Sequence, residues 1–134
     1  MDGAAIIRAL LVGDAALLAL VPEERIVADD LGIGIVLPAI AITSVSWVER
    51  KVLKPGVSRH VTERVQVDVM AKRVPEKKAV LRAVRAAAAD FIGAAAGLTD
   101  VSVQLDSAGP DITDDQASIR IGSQDFMVGF TEIR

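Results

Sequence analysis

The sequence has no cysteine, no tyrosine and a single histidine among its 134 residues. The absence of cysteine excludes a disulfide framework and any thiolate metal site. Because only one histidine is present, a transition-metal centre would need mainly carboxylate ligands, which is unusual. We expect this histidine, His60, to lie solvated in a loop beside Arg59, without the geometry that acid–base catalysis needs. The sequence therefore predicts no catalytic residue, no cofactor site and no metal site.

Motifs that bind nucleotides or activate a nucleophile are also missing. The segment Leu31–Gly34 holds two glycines but lacks the third glycine of a dinucleotide fingerprint. No phosphate loop and no serine in a nucleophile elbow occurs in the sequence. We therefore expect a protein that is not an enzyme.

Positive charge is not in excess, since 15 basic residues face 18 acidic ones and the net charge is −3. A general nucleic-acid binder needs a surplus of lysine and arginine, so this class is disfavoured. The N-terminal apolar stretch is interrupted by Arg8 and by Gly13-Asp14. It is thus shorter than the roughly 20 residues of a membrane-spanning helix, and no basic residue precedes it as in a signal peptide. We expect a soluble protein made in the cytoplasm, without membrane contact.

Aromatic residues make up only 3% of the chain, whereas hydrophobic residues make up 51% and are largely alanine and valine. A chain of this length and composition suits one thin, tightly layered core, so we predict a single domain over residues 1–134.

Two segments have the apolar spacing of helices. Ile6–Val21 predicts a helix that breaks at Gly13-Asp14, where the aspartate would cap a second short helix. After Pro75 an alanine-rich segment predicts the second main helix, which we expect to end at the glycines of segment 93–97. The buried stripe of this helix would comprise Val80, Leu81, Val84, Ala88, Phe91 and Ile92.

Other segments alternate as strands do. Strands are predicted at Arg25–Val27, Ala39–Trp47, Val61–Ala71, Val101–Asp106 and Ile119–Phe130, the last with a bend or bulge at Gly122-Ser123. In Ala39–Trp47, we expect Ile40 and Ile42 on one face and Thr43, Val45 and Trp47 on the other. Strand pairs flank the second helix, so the predicted fold is α+β: a mainly antiparallel sheet with two main helices packed on one face.

The strand Val61–Ala71 has the clearest alternation of all. Its apolar side is interrupted only by Glu63, and its other side carries a polar series of mixed charge. This second series consists of Thr62, Arg64, Gln66 and Asp68.

A long loop is predicted at about residues 48–60, around the turn dipeptide Pro55-Gly56. It mixes basic and apolar side chains, namely Arg50, Lys51, Val52, Leu53, Lys54, Val57 and Arg59. Exposed apolar residues between positive charges are typical of a partner-contact loop. The alternative is a disordered hairpin tip, and the sequence leaves both open.

Two charged surfaces are candidates for contact between copies of the chain. One is the basic side of the second main helix, with Lys77, Lys78, Arg82 and Arg85; the other is the acidic stretch containing Asp111, Asp114 and Asp115. The ordinary interpretation of the first is a solvated helix face, and that of the second is a solvated turn. The acidic spacing lacks the alternating ligands and closing glutamate of a calcium loop.

Several segments together resemble one protein family. LLVGDAALLALV leads into ERIV, GIVLPAIAI opens a strand at its proline, ERVQVDVMAK precedes PEKKAVLRAVRAAA, and SQDFMVGF comes near the end. This order is similar to the tail completion or tail terminator proteins of long-tailed bacteriophages, which also occur in phage-like gene transfer agents. The resemblance spans nearly the whole chain.

The resemblance implies a ring, expected to have six copies, at the head-proximal end of the tail tube in the virion. The ring would end tube growth and offer a surface to the head–tail connector protein. DNA would pass through its lumen without specific binding, and the polar series from Thr62 to Asp68 is the candidate lining. The partner-contact loop could reach the tail tube protein or the connector. Two alternatives stay open: a head-completion or connector protein that joins without limiting length, and a small-molecule-binding α+β domain.

Overall fold

The computed structural model describes residues 3–28, 36–49, 58–109, 112–114 and 119–133. Within these ranges the helices are α1 (Gly3–Val12), α2 (Ala15–Leu20) and α3 (Val74–Ala88), with a 3-10 helix at Glu23–Arg25. The strands are β1 (Ile26–Ala28), β2 (Ala39–Glu49), β3 (Ser58–Ala71), β4 (Phe91–Ala95), β5 (Leu98–Ala108), β6 (Ile112–Asp114) and β7 (Ile119–Ile133). Most of the predicted long loop therefore lies outside the described residues.

The described strands form one sheet in the order β1-β2-β3-β7-β5-β4, with β6 pairing with β7 beside it. The pair β1–β2 is parallel and the other described pairs are antiparallel, so the sheet is mixed. The prediction of an α+β fold is confirmed, but the sheet is not wholly antiparallel. The three residues of β1 are too short a pattern to reveal the direction of the strand from the sequence.

Helices cover one face of this sheet. α3 contacts β3 and β7, while α1 contacts β1, β2 and β3 and packs against α3. The side chains that meet them alternate along the strands, as in Val65 and Val67 of β3 or Phe126 and Val128 of β7, all fully buried. Burying each such side chain contributes roughly 1.5–3 kcal/mol. The packing of the helices on one face is as predicted; the single-domain assignment stays a prediction.

The break in the N-terminal helix is confirmed. The Gly13 amide closes α1 on the carbonyl of Ala9 at 3.0 Å. Asp14 then caps α2, because its Oδ1 accepts a hydrogen bond from the Leu17 amide at 3.0 Å. Such a cap contributes about 1 kcal/mol to a helix that is otherwise too short to be stable.

The predicted end of the second main helix is wrong. α3 ends at Ala88, and Phe91–Ala95 forms strand β4 instead of a last helical turn. Asp90 turns the chain with a positive φ of 62°. Phe91 still packs against the core, but Ile92 is 84% exposed because alternate strand residues face opposite sides. The spacing of apolar residues could not distinguish a helix from a strand here, since Phe91 would reach the core from either.

The irregularities of the sheet also differ from the prediction. β3 pairs with β7 without a shift through Gly122-Ser123, so no bulge occurs there. Register shifts occur instead at Ser44/Ser46 of β2, at Gly93/Ala95 of β4 and at Leu105/Ser107 of β5. The extra residue in β2 moves Trp47 opposite Glu63, onto the face that carries the helices. The predicted shared face of Thr43 and Trp47 is therefore wrong.

Candidate functional surfaces

The face of the sheet opposite the helices, called here the open face, carries the polar series predicted for β3. Thr62, Arg64, Gln66 and Asp68 are half-buried and alternate with fully buried neighbours. The predicted alternation is confirmed, and the register places these residues beside polar residues of β7. Their proposed role as a lumen lining is not tested by this geometry.

Arg64 lies at the centre of the open face between two carboxylates. Its Nη2 is 3.0 Å from Oδ2 of Asp106, and its Nη1 is 3.5 Å from Oδ2 of Asp125. Asp106 is the extra residue at the register shift of β5, which lets its side chain reach across β7 to Arg64. The Arg64 side chain is still 39% exposed, so solvent reaches the guanidinium although both terminal nitrogens are engaged.

A second polar group on the open face centres on Asp68. Its Oδ1 accepts hydrogen bonds from Gln66 Nε2 at 2.8 Å and from Ser123 Oγ at 2.6 Å. Nearer the other end of the face, Thr131 donates to Asp100 at 3.0 Å. Gln66 and Asp68 are neighbours on the same face of β3, whereas the Ser123–Asp68 and Thr131–Asp100 contacts join adjacent strands, so polar side chains of three strands are held together.

His60 lies in strand β3 and not in a loop, so the predicted loop position is wrong. It is half-buried and faces the position of Gly129 on β7. A Cβ atom at Gly129 would lie 3.4 Å from His60 Nε2 and 2.9 Å from Ser102 Oγ. The glycine therefore leaves room for two side chains from the strands on either side.

The basic face of α3 is smaller than predicted. Lys78, Arg82 and Arg85 are exposed, but Lys77 is only 2% exposed. Position 77 falls on the same helical stripe as the buried Val80, Val84 and Ala88, and the long lysine stem can be covered by apolar neighbours.

Two of the exposed arginines share a concave surface. Arg82 and Arg85, with Ala86, Ala89 and Asp90, line a shallow depression of about 490 Å³ at the C-terminal end of α3, called here the α3 depression. Of their predicted acidic counterparts, Asp114 lies in the short strand β6, whereas Asp111 and Asp115 lie outside the described residues. The predicted pairing between copies stays a prediction.

The predicted partner-contact loop falls mainly outside the described residues. Arg50, Lys51, Val52, Leu53, Lys54 and Val57 are not described, and Arg59 lies in β3 opposite Glu132. The strand leading into the loop, residues 45–49 of β2, is described and forms with its β3 partner what we call the arm. Val45, Trp47 and Val48 of the arm are 51%, 50% and 69% exposed. Trp47 and Val48 face opposite sides of the sheet, so the arm presents exposed apolar side chains on both of its faces.

Glu63 of the arm, opposite Trp47, is a buried carboxylate, and its only signal in the sequence is that it breaks the apolar pattern of β3. Glu63 is fully buried, and its Oε1 accepts a hydrogen bond from the Gly3 amide at 3.2 Å. It thereby caps the first turn of α1, where negative charge is favoured. Glu63 Oε2 has no hydrogen-bond partner among the described residues.

The described residues contain neither a metal site nor a membrane-spanning helix. No group of three or more histidine, cysteine, aspartate or glutamate side chains could hold a metal ion. In the same part of the chain, no helix is long and apolar enough to cross a membrane.

Ordered polar side chains on an open sheet face, a basic helix face and an exposed apolar arm are typical of a protein that assembles with other macromolecules. The family model described as "Tail completion protein gp17" matches residues 5–129. The chain therefore belongs to the tail completion protein gp17 family. It is a structural protein of the virion tail, and this family is not one of enzymes.

The fold is also found in a solved virion structure. A chain from a structure titled "Virion of native gene transfer agent (GTA) particle" superposes with a TM-score of 0.70 over 97% of this chain and 95% of that chain. The two sequences are 16% identical, so the likeness shows a shared fold. No curated protein matches the chain.

Proposed function

We propose that this protein forms a ring at the head-proximal end of the tail tube, ends growth of the tube and provides the surface for head–tail joining. The observation that carries this proposal is membership of the tail completion family over residues 5–129. The shared fold with a chain of a gene transfer agent virion supports it, because that chain is part of an assembled particle. The particle can be that of a phage or of a gene transfer agent.

A closed ring, expected to contain six copies, needs two different patches on each chain, because each copy meets the next head to tail. The α3 depression supplies a basic patch with Arg82 and Arg85, to which Lys78 adds charge. The acidic stretch around Asp114 is the proposed complement on the neighbouring copy. Charge pairs of this kind fix orientation and partner choice more than they raise affinity.

The open face is proposed to line the lumen through which DNA passes. Among the described residues it carries Arg64 against four aspartates, Asp68, Asp100, Asp106 and Asp125, which leaves three negative charges in excess. A surface with this balance repels phosphates, so DNA would slide past without being held.

The arm is proposed to contact the tail tube protein or the head–tail connector protein. Trp47 and Val48 project from it, and the basic residues of the partner-contact loop follow directly in the sequence. An aromatic anchor next to arginine and lysine is the composition of many protein interfaces.

Disruption of the gene tests the proposed function. Electron microscopy of particles from the disrupted strain should show tails of abnormal, unregulated length, and the intact gene should restore uniform tails. Normal-length tails beside separate filled heads would instead assign a joining role without length control. Intact, infectious or transferring particles would contradict both roles and direct attention to a small-molecule ligand.

A further inference from the structure

Arg64 is the only arginine or lysine that the described residues place on the open face, and it is held by carboxylates on both sides. The contacts engage both ends of the guanidinium fork, Nη2 with Asp106 and Nη1 with Asp125. These guanidinium nitrogens are among those that an arginine uses to bind a phosphate. Because the side chain is 39% exposed, engagement by carboxylates and not burial is what keeps it from other anions.

A contribution to folding stability does not explain the two ion pairs of Arg64. All three side chains are partly exposed, Asp106 at 35% and Asp125 at 21%. Ion pairs with this exposure usually contribute little to folding, because water and salt screen them. The register shift in β5 nevertheless brings an extra aspartate to Arg64, although Asp125 of the neighbouring strand is already within reach.

We propose that Asp106 and Asp125 mask Arg64 from nucleic acid, so that this arginine of the open face is a latent phosphate contact. The inference rests on the proposed function in one respect, namely that DNA passes over this face. A single unmasked arginine per copy would be repeated around a ring and would hold the DNA at several phosphates at once. Masking of Arg64 would therefore prevent the lumen from binding the DNA that passes through it.

Binding of DNA to the purified full chain tests the mask. The variant Asp106→Asn with Asp125→Asn keeps the shape of both side chains but removes their charge. We expect it to bind a fluorescently labelled DNA duplex of about 20 base pairs at least tenfold more tightly than the unchanged protein at 50 mM salt, measured by fluorescence anisotropy. The added affinity should fall as salt rises, and log K should decrease by about 0.9 per unit of log salt for each additional phosphate that the variant neutralises.

Two matched variants identify the cause of any increase in affinity. Glu23→Gln with Glu24→Gln removes the same charge from two exposed residues before β1 and should leave DNA binding nearly unchanged. Adding Arg64→Gln to the aspartate variant should return binding to the level of this control. If the aspartate variant binds no better than the glutamate control, or if the increase survives loss of Arg64, the mask is disproved.

Folding and particle assembly are scored separately. Thermal unfolding of each variant shows whether it folds. If the double aspartate variant does not fold, DNA binding is measured with Asp106→Asn alone. We expect this single variant to bind DNA severalfold more tightly, and Arg64→Gln should abolish the increase. Tighter binding in solution together with normal tails in the disrupted strain would retain the mask and overturn the proposed function. Unchanged DNA binding by the aspartate variant, together with unregulated tails in the disrupted strain, would disprove the mask and support the proposed function.

Discussion

At the scale of single residues, the contact between Glu63 and Gly3 ties the N-terminus of α1 to the centre of the sheet. The glycine is needed for space: a Cβ atom at position 3 would lie 2.6 Å from Cδ of Glu63 and 2.7 Å from its Oε2. The carboxylate cannot move far, because Glu63 is fully buried. The two residues are sixty positions apart in sequence, so no local pattern indicates that one requires the other.

Gly3→Ala should therefore destabilise the protein. The new methyl group must displace the buried carboxylate and break its hydrogen bond with the amide of residue 3. A buried polar group without its partner costs about 1–3 kcal/mol, and we expect the free energy of unfolding to fall by that amount in chemical denaturation. Ala5→Ser on the exposed side of α1 is the control and should change it by less than about 0.5 kcal/mol. Equal stability of the two variants would contradict the steric explanation.

A second residue-scale prediction concerns the turn between β4 and β5. Ala96 and Gly97 form this two-residue turn with φ values of 51° and 81°, both positive. Positive φ at both positions defines a type I′ turn, in which asparagine followed by glycine is favoured and alanine is strained. Ala96→Asn should raise the free energy of unfolding by about 0.5–1 kcal/mol. Ala94→Asn, in the adjoining strand, should not stabilise the protein; stabilisation there, or none at position 96, would refute the assignment.

At the scale of elements, the arm combines exposed apolar side chains with a position at the end of two long strands. The register shift in β2 places Trp47 on the face that carries the helices, and the side chain is nevertheless half exposed there. A core strand of this composition would normally keep its tryptophan covered. The arm is thus the described element best suited to contact a partner.

Trp47→Ser combined with Val48→Ser should leave the fold intact while reducing the number of complete particles. Both side chains are at least half exposed, so their removal should change the free energy of unfolding by less than about 1 kcal/mol. Counting joined particles by electron microscopy gives the functional result. Ile92→Ser, at a more exposed apolar position on strand β4, should not reduce joining, and a similar loss there would mean that the effect is not specific to the arm.

Deletion of residues 51–57 tests the loop itself. Loop tips carry few core contacts, so we expect the shortened chain to fold, as measured by its thermal unfolding. Docking to the tube or the connector should fail because the basic and apolar side chains of the loop are gone. Normal joining by this variant would assign the loop no role in contact.

Elements also show how far the sequence could predict the fold. Strict alternation makes β3 predictable, and the Gly13-Asp14 break makes α1 and α2 predictable, because both signals are local. Residues 91 and 92 of β4 are wrongly predicted as the end of a helix, since Phe91 fits the apolar spacing of a helix as well as that of a strand. The bulges in β2 and β5 depend on neighbouring strands, so neither the orientation of Trp47 nor the Asp106–Arg64 contact has a local signal.

At the scale of the whole molecule, the proposed ring depends on complementary patches, and the α3 depression is the patch that the structure describes. Arg82→Glu with Arg85→Glu should weaken assembly, because two attractive contacts per interface become repulsive. The size of the assembly is measured by native mass spectrometry or by its yield on purified tubes. Lys72→Glu with Arg73→Glu changes the charge equally at exposed positions before α3 and should assemble normally. Unchanged assembly of the arginine variant would rule out the pairing.

The position of the chain in the particle decides whether the proposed function is correct, and cryo-electron microscopy of intact particles at side-chain resolution measures this position. We predict a ring, expected to be sixfold, at the junction of tail tube and head, with Arg64 and Asp68 facing the lumen and Trp47 against another protein. A chain found elsewhere in the particle, or one whose open face points away from the lumen, would contradict the proposal.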